Sequence, residues 1–295
     1  NSRRDIKGFK AVRGALRLIF DKGEFRFYDL ERGISGDLNL LFPDWMEGER
    51  VAFISPHDDD AILGAGYLLL AVQAYGGVPC VAVMCDGRCG YSRPEDRIDI
   101  ADRRRVESSR AYDLLGVASE RLARFEVPDF CLGAYMEWLL PGGERGVFEG
   151  LFKALRRWGA TRMLVPNDYR EHPDHLAASL AASYIGPQVG DAILADWGSP
   201  TRIRSFLKYS VWAAFNPLEA GDLAVKASWR VEERVREAIS KFESQRLVIK
   251  DLNRMRDERR IGDGAVEVYR RFDPRPRMDL KPYKDRIEGI DGVEG

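Results

Sequence analysis

Apolar positions first gather into regular runs at Val51. Residues 51–55 are apolar and end at Pro56, the pattern of a buried strand. Residues 61–75 are apolar on all sides, carry two glycines, and are long enough for a packed helix. Residues 81–84 repeat the buried-strand pattern. Residues 97–115 set Ile98, Ile100, Ala101, Val106, Ala111 and Leu114 among charges, an amphipathic helix stopped by Gly116. Strands at 122–127 and 163–165 and helices at 148–158 and 176–185 continue the alternation. Strands alternating with helices of this length imply βαβ units. The expected fold class is therefore α/β, a mainly parallel sheet with helices on both faces in a Rossmann-like three-layer arrangement.

The ends of the chain are less regular. Residues 16–20 and 25–28 alternate around Asp21-Lys22-Gly23, implying a small hairpin in an N-terminal appendage of residues 1–46. Residues 47–262 form the expected core. Within it, residues 209–215 read as a further strand at the sheet edge and 232–260 as one long charged helix. Residues 263–295 read as an extended tail passing through Asp273-Pro274-Arg275-Pro276.

Composition narrows the classes of partner. With 45% hydrophobic and 32% charged residues, the chain can bury a large core under a solvated coat. Its 46 basic and 47 acidic residues nearly cancel, which argues against nucleic acid or an anionic membrane as the main partner. The apolar stretch at 65–74 falls short of the ~20 residues that an integral membrane segment needs. No apolar leader core follows the charged Asn1–Asp5 start. Four cysteines make no disulfide framework, and Cys80 and Cys85 read as buried strand residues. A reducing cytoplasm is the expectation. The hairpin and the tail are surfaces suited to homo-oligomer formation.

Chemistry concentrates at two strand ends. The first strand runs into Ser55-Pro56-His57-Asp58-Asp59-Asp60 and the fourth into Pro166-Asn167-Asp168-Tyr169-Arg170-Glu171-His172-Pro173-Asp174-His175. All 3 histidines of the chain lie in these segments. Either segment alone reads as the acidic N-terminus of a helix. Together they do not, because aspartates crowded beside a histidine repel one another unless a cation neutralises them. Imidazoles plus a carboxylate are the donor set of catalytic zinc, with ferrous iron as the alternative. His57 and Asp60, three positions apart on a turn entering a helix, can face one point, and His175 can supply the third ligand. Asp59 then stands free as general base. His172 can set a positive imidazolium against the oxyanion of a tetrahedral intermediate.

The two segments resemble the signatures of the PIG-L/LmbE-like zinc-dependent N-acetylglucosaminyl deacetylases. Those read Pro/Ala-His-Pro-Asp-Asp-Glu and, much later, His-Pro-Asp-His. Here they stand as Pro56-His57-Asp58-Asp59-Asp60-Ala61 and His172-Pro173-Asp174-His175. Weaker matches arrive in order: Asp86-Gly87, Arg104-x-x-Glu107 with Leu115-Gly116-Val117, Pro128-Asp129, and Glu237-Ala238 with Ser244-Gln245. The resemblance implies His57, Asp60 and His175 as zinc ligands, Asp59 and His172 as catalytic groups, and Arg104 and Asp129 as substrate contacts. It implies removal of an acyl group, acetyl above all, from the amide nitrogen of an amino sugar or glycoconjugate. Asp58 in place of Pro and Ala61 in place of Glu depart from the pattern. The first adds a carboxylate near the metal, and the second removes an expected outer hydrogen bond. Two alternatives stay open: a non-catalytic carbohydrate- or nucleotide-binding module, and a metal-dependent hydrolase of another amide or a phosphoester.

Overall fold

The computed structural model describes residues 9–12, 15–18 and 20–292. In chain order the strands and helices are β1 (Phe9–Val12), β2 (Ala15–Leu18), β3 (Phe25–Asp29), β4 (Ile34–Gly36), β5 (Arg50–Ser55), α1 (Asp60–Ala74), β6 (Val78–Cys85), α2 (Ile100–Leu114) and β7 (Leu122–Val127). Then come α3 (Leu132–Tyr135), α4 (Val147–Trp158), β8 (Arg162–Pro166), α5 (Pro173–Gln188), β9 (Ser205–Tyr209) and β10 (Asp222–Ser228). The chain closes with α6 (Trp229–Ile239), α7 (Arg246–Asp257), β11 (Arg260–Ile261), β12 (Gly264–Phe272) and α8 (Lys281–Asp291).

The main sheet runs in the order β4-β3-β10-β12-β9-β8-β5-β6-β7, with β11 paired to β12. From β9 to β7 neighbours are parallel, and from β9 to β4 they are antiparallel. The expectation of a mainly parallel sheet is thereby corrected: the sheet is mixed. Strand β12 inserts between β9 and β10 against both. Alternate residues of β5 feed opposite cores, as the two-residue strand period requires. Val51 and Phe53 pack with the α1, α2 and α6 side, and Ala52 and Ile54 with the α4 and α5 side. Helices therefore cover both faces.

Four expectations at the ends are also corrected. The hairpin of residues 16–20 and 25–28 does not form, because β2 pairs with β1 while β3 pairs with β4 and β10. Phe25 and Phe27 on β3 are buried in the main core, which an isolated two-stranded ribbon does not offer. The strand expected at 209–215 ends at Tyr209. The single helix expected over 232–260 is two, α6 and α7, with a 3-10 turn at Glu243–Gln245 before the second. Within the expected tail, residues 264–272 are an interior strand and 281–291 a helix.

Helix α1 is the central element, and residues 60–72 are all buried. Its glycines mark close approaches. A Cβ on Gly64 would lie 2.5 Å from the Tyr209 ring, and one on Gly66 would lie 2.9 Å from Val235. Between them Ala65 leaves helical geometry (φ −139°, ψ 22°). Side chains satisfy the backbone at this break. The Tyr67 N–H donates to Glu267 at 2.9 Å, and the Leu63 carbonyl accepts from Arg256 at 2.8 Å and Arg259 at 3.0 Å.

Candidate metal centre

Ligands of open α/β sheets bind beyond the carboxyl ends of parallel strands, and the histidine-bearing segments follow β5 and β8 there. The turn after β5 is tied by Ser55, whose hydroxyl donates to the His57 carbonyl and accepts the Ala61 N–H at 3.0 Å. Asp60 Oδ2 accepts the His57 N–H at 2.8 Å, which brings ring and carboxylate to one side. After β8, His172 caps α5, its Nδ1 accepting the Asp174 N–H at 3.2 Å. His175 sits in the first turn of that helix, facing back across the sheet.

The two segments converge on one carboxylate oxygen. Asp60 Oδ2 lies 3.0 Å from His57 Nδ1 and 3.1 Å from His175 Nε2. One donor atom from each of these three residues falls within 4.8 Å of the others. Ligands at about 2.0–2.2 Å around one tetrahedral cation would stand a little over 3 Å apart. The contact between His175 Nε2 and Asp60 has no hydrogen-bond alignment, and this fully buried nitrogen has no hydrogen-bond partner. A buried imidazole nitrogen is rarely left so. The residues present thus fit a divalent metal.

Electrostatics agrees with a site built for positive charge. Burial opposes ionisation of Asp60, but the two imidazoles prevail and hold its carboxyl well below the usual range. Burial likewise works against a charged His175, yet Asp60 and Glu171 raise that imidazole to about 9. Each imidazole of the triad also has a carboxylate behind it, an arrangement that orients metal-binding histidines. Asp174 Oδ2 lies 3.4 Å from His57 Nε2, and Glu171 Oε2 lies 2.6 Å from His175 Nδ1.

Of the other expected residues, Asp59 is adjacent and faces the same cavity. Burial pushes its carboxyl up to about 6 against the pull of Arg104, 3.2 Å away. His172 stacks edge-on to His57 at 4.8 Å between ring centroids. Burial, then His57, lowers its affinity for a proton, which works against the positive charge expected of it. Its Nδ1 accepts the Asp174 N–H, which leaves Nε2 as the nitrogen free to carry a proton toward the cavity. Arg104 is only 4% exposed and grips Asp58, its Nε lying 2.9 and 3.1 Å from the two carboxylate oxygens. Asp129 accepts the N–H groups of Gly87 and Cys89 at 2.9 and 2.8 Å, holding the loop after β6. Glu107 receives both the N–H and the hydroxyl of Ser244, so the two weak motifs of the sequence meet in space.

The cavity over these groups has a volume of about 220 Å³. Phe130 packs its ring 4.3 Å from His172, and Trp212 lies 5.4 Å from His175. Both aromatics are largely exposed, at 62% and 47%. Phe130 adopts a left-handed φ of 63°, held by a 2.6 Å hydrogen bond from its N–H to Asp174. Leu63, Val248 and Leu252 supply an apolar wall. A larger cavity of about 610 Å³, lined by Arg50, Arg121 and Arg157, lies at the opposite strand ends and holds none of the metal-ligand set. Sequence reasoning missed Glu171, Asp174, Phe130 and Trp212. Only the first two carried a signal, as acids flanking the second histidine pair.

Residues 52–185 match the family model described as PIG-L, GlcNAc-PI de-N-acetylase. The fold resembles N,N'-diacetylchitobiose deacetylase from Pyrococcus horikoshii, at 21% identity and TM-score 0.63 over 81% of this chain and 88% of that one. It resembles the conserved protein TT1542 from Thermus thermophilus, at 24% identity and TM-score 0.60 over 77% and 96%. It also resembles GalB, the 4-carboxy-2-hydroxymuconate hydratase from Pseudomonas putida KT2440, at 16% identity and TM-score 0.59 over 79% and 99%. No curated protein sequence matches the chain.

Proposed function

Taking residues 52–185 as a PIG-L family domain, we propose that the protein is a metal-dependent hydrolase that removes the acetyl group from the nitrogen of an N-acetylated amino sugar. The observation that carries this reading is the buried, unpartnered His175 Nε2 facing Asp60 and His57. Zinc or ferrous iron held by His57, Asp60 and His175 would polarise an amide carbonyl and acidify a water. Asp59 takes the proton of the attacking water from its position beside Asp60. The His172 Nε2–H donates to the oxygen on which negative charge develops. The rings of Phe130 and Trp212 flank the cavity and can stack on the apolar face of a pyranose. Arg104 and Asp129 shape the substrate subsite through the loop at residues 87–90. Four unpaired thiols fit a reducing cytoplasm as the setting.

The fold's likeness to a hydratase supports a second reading, addition of water to a carbon–carbon double bond. Released acetate separates the two. Purified protein should carry about one metal per chain and free acetate from at least one member of a panel of N-acetylated sugars. Asp59→Asn should keep the metal and lose about 10²–10⁴-fold in turnover, the usual contribution of a positioned base. Wild-type turnover in that variant would remove Asp59 from the mechanism.

A further inference from the structure

Glu171 touches nothing that reacts, yet no other carboxylate near the site is so fully engaged. Its side chain and that of His175 are both completely buried. Oε2 meets His175 Nδ1 at 2.6 Å. Oε1 accepts the backbone N–H groups of Val211, Trp212 and Ala213 at 3.1, 3.3 and 3.0 Å and the Ser210 hydroxyl at 3.0 Å. One oxygen thus serves the metal-ligand histidine, and the other gathers the loop that carries Trp212 over the cavity.

Resting on the metal reading above, we propose that Glu171 is a positioning residue that fixes His175 as an Nε2 ligand and locks the 210–213 loop against the site. Neutral imidazole has one N–H, and a carboxylate opposite Nδ1 draws it there, leaving the Nε2 lone pair free.

An amide cannot do both tasks. In Glu171→Gln, an oxygen kept on the three loop N–H donors leaves an NH₂ facing Nδ1. That forces the imidazole proton onto Nε2, where it blocks the metal. The expected result is a 10–100-fold loss of metal affinity, read as faster transfer of bound zinc to a chelator. Glu171→Asp, one methylene short of spanning both partners, should also release zinc faster. Independently of any Glu171 variant, zinc-loaded protein labelled with ¹⁵N-histidine gives three imidazole patterns; His172→Asn removes one, and a nuclear Overhauser contact with the Trp212 ring identifies that of His175. That of His175 should show a protonated, hydrogen-bonded Nδ1 and a metallated Nε2. Metallation at Nδ1, or zinc release from Glu171→Gln at the wild-type rate, overturns the proposal. Wild-type protein that binds no metal takes the parent reading down with it.

Discussion

At the scale of single residues, Asp58 shows how a departure from a motif finds its purpose in a distant partner. Viewed along the chain, it was an extra carboxylate beside a metal. In the fold it is the counter-ion of Arg104, 46 positions away, and both are nearly out of reach of solvent. The guanidinium also leans on Phe242 at 5.5 Å and reaches Asp59. A buried pair loses most when one partner is removed, because the other is left charged and alone. Arg104→Met should therefore cost about 3–5 kcal/mol in urea unfolding. Combining it with Asp58→Asn should cost less than the sum of the two single changes, and strict additivity would mean that the pair is uncoupled. The convergence of His57, Asp60 and His175 was legible because all 3 histidines crowd into two segments beside carboxylates, a crowding that a cation would relieve. Glu171 was not legible, since its five partners include four from residues 210–213.

Among elements, legibility followed burial. The parallel strands β5, β6 and β8 are almost entirely buried on both faces and read as plain apolar runs, so they stood out. The antiparallel strands hid behind charges that the fold neutralises in pairs. Glu267 in β12 is buried opposite Arg256 and Arg259, and Arg270 pairs with Asp222 across the β10–β12 ladder. A similar device joins β5 to β8 at their entry ends. Arg162 Nε meets Glu49 at 2.6 Å, and Arg204 binds the same carboxylate. Burial works against the Glu49 charge, but Arg162 prevails and holds its carboxyl below the usual range. A carboxyl lowered on folding adds stability above its unfolded value of about 4.3 and loses it as pH falls through the folded value. Glu49→Gln should thus destabilise the protein clearly at pH 7, by a margin that shrinks once pH drops below about 4. Urea midpoints of both proteins across that range give the check, and a constant gap would assign the loss to packing instead.

For the whole molecule, the question is whether the family-matched segment is a unit that could stand alone. The geometry says that it is not. Helix α1 carries Asp60 at its start and is buried from residue 60 to residue 72, but much of what covers it comes from beyond residue 185. Tyr209 presses on Gly64 and Val235 on Gly66, while Glu267, Arg256 and Arg259 satisfy the opened backbone at Leu63 and Tyr67. Gln245, Val248 and Leu252 wall the cavity, and Glu171 has its loop partners only from residue 210 onward. A chain cut to residues 46–190 would expose the buried face of α1, leave polar backbone groups unpaired, and strip Glu171 of the loop that holds it against His175. It should show no cooperative thermal transition and no tight metal, whereas residues 20–292 should show both. If the short fragment melted sharply with zinc bound, the antiparallel half would be an accessory to the site. Its absence of folding would mark the mixed sheet as one cooperative body, in which the strands least visible in the sequence hold the residues most visible there.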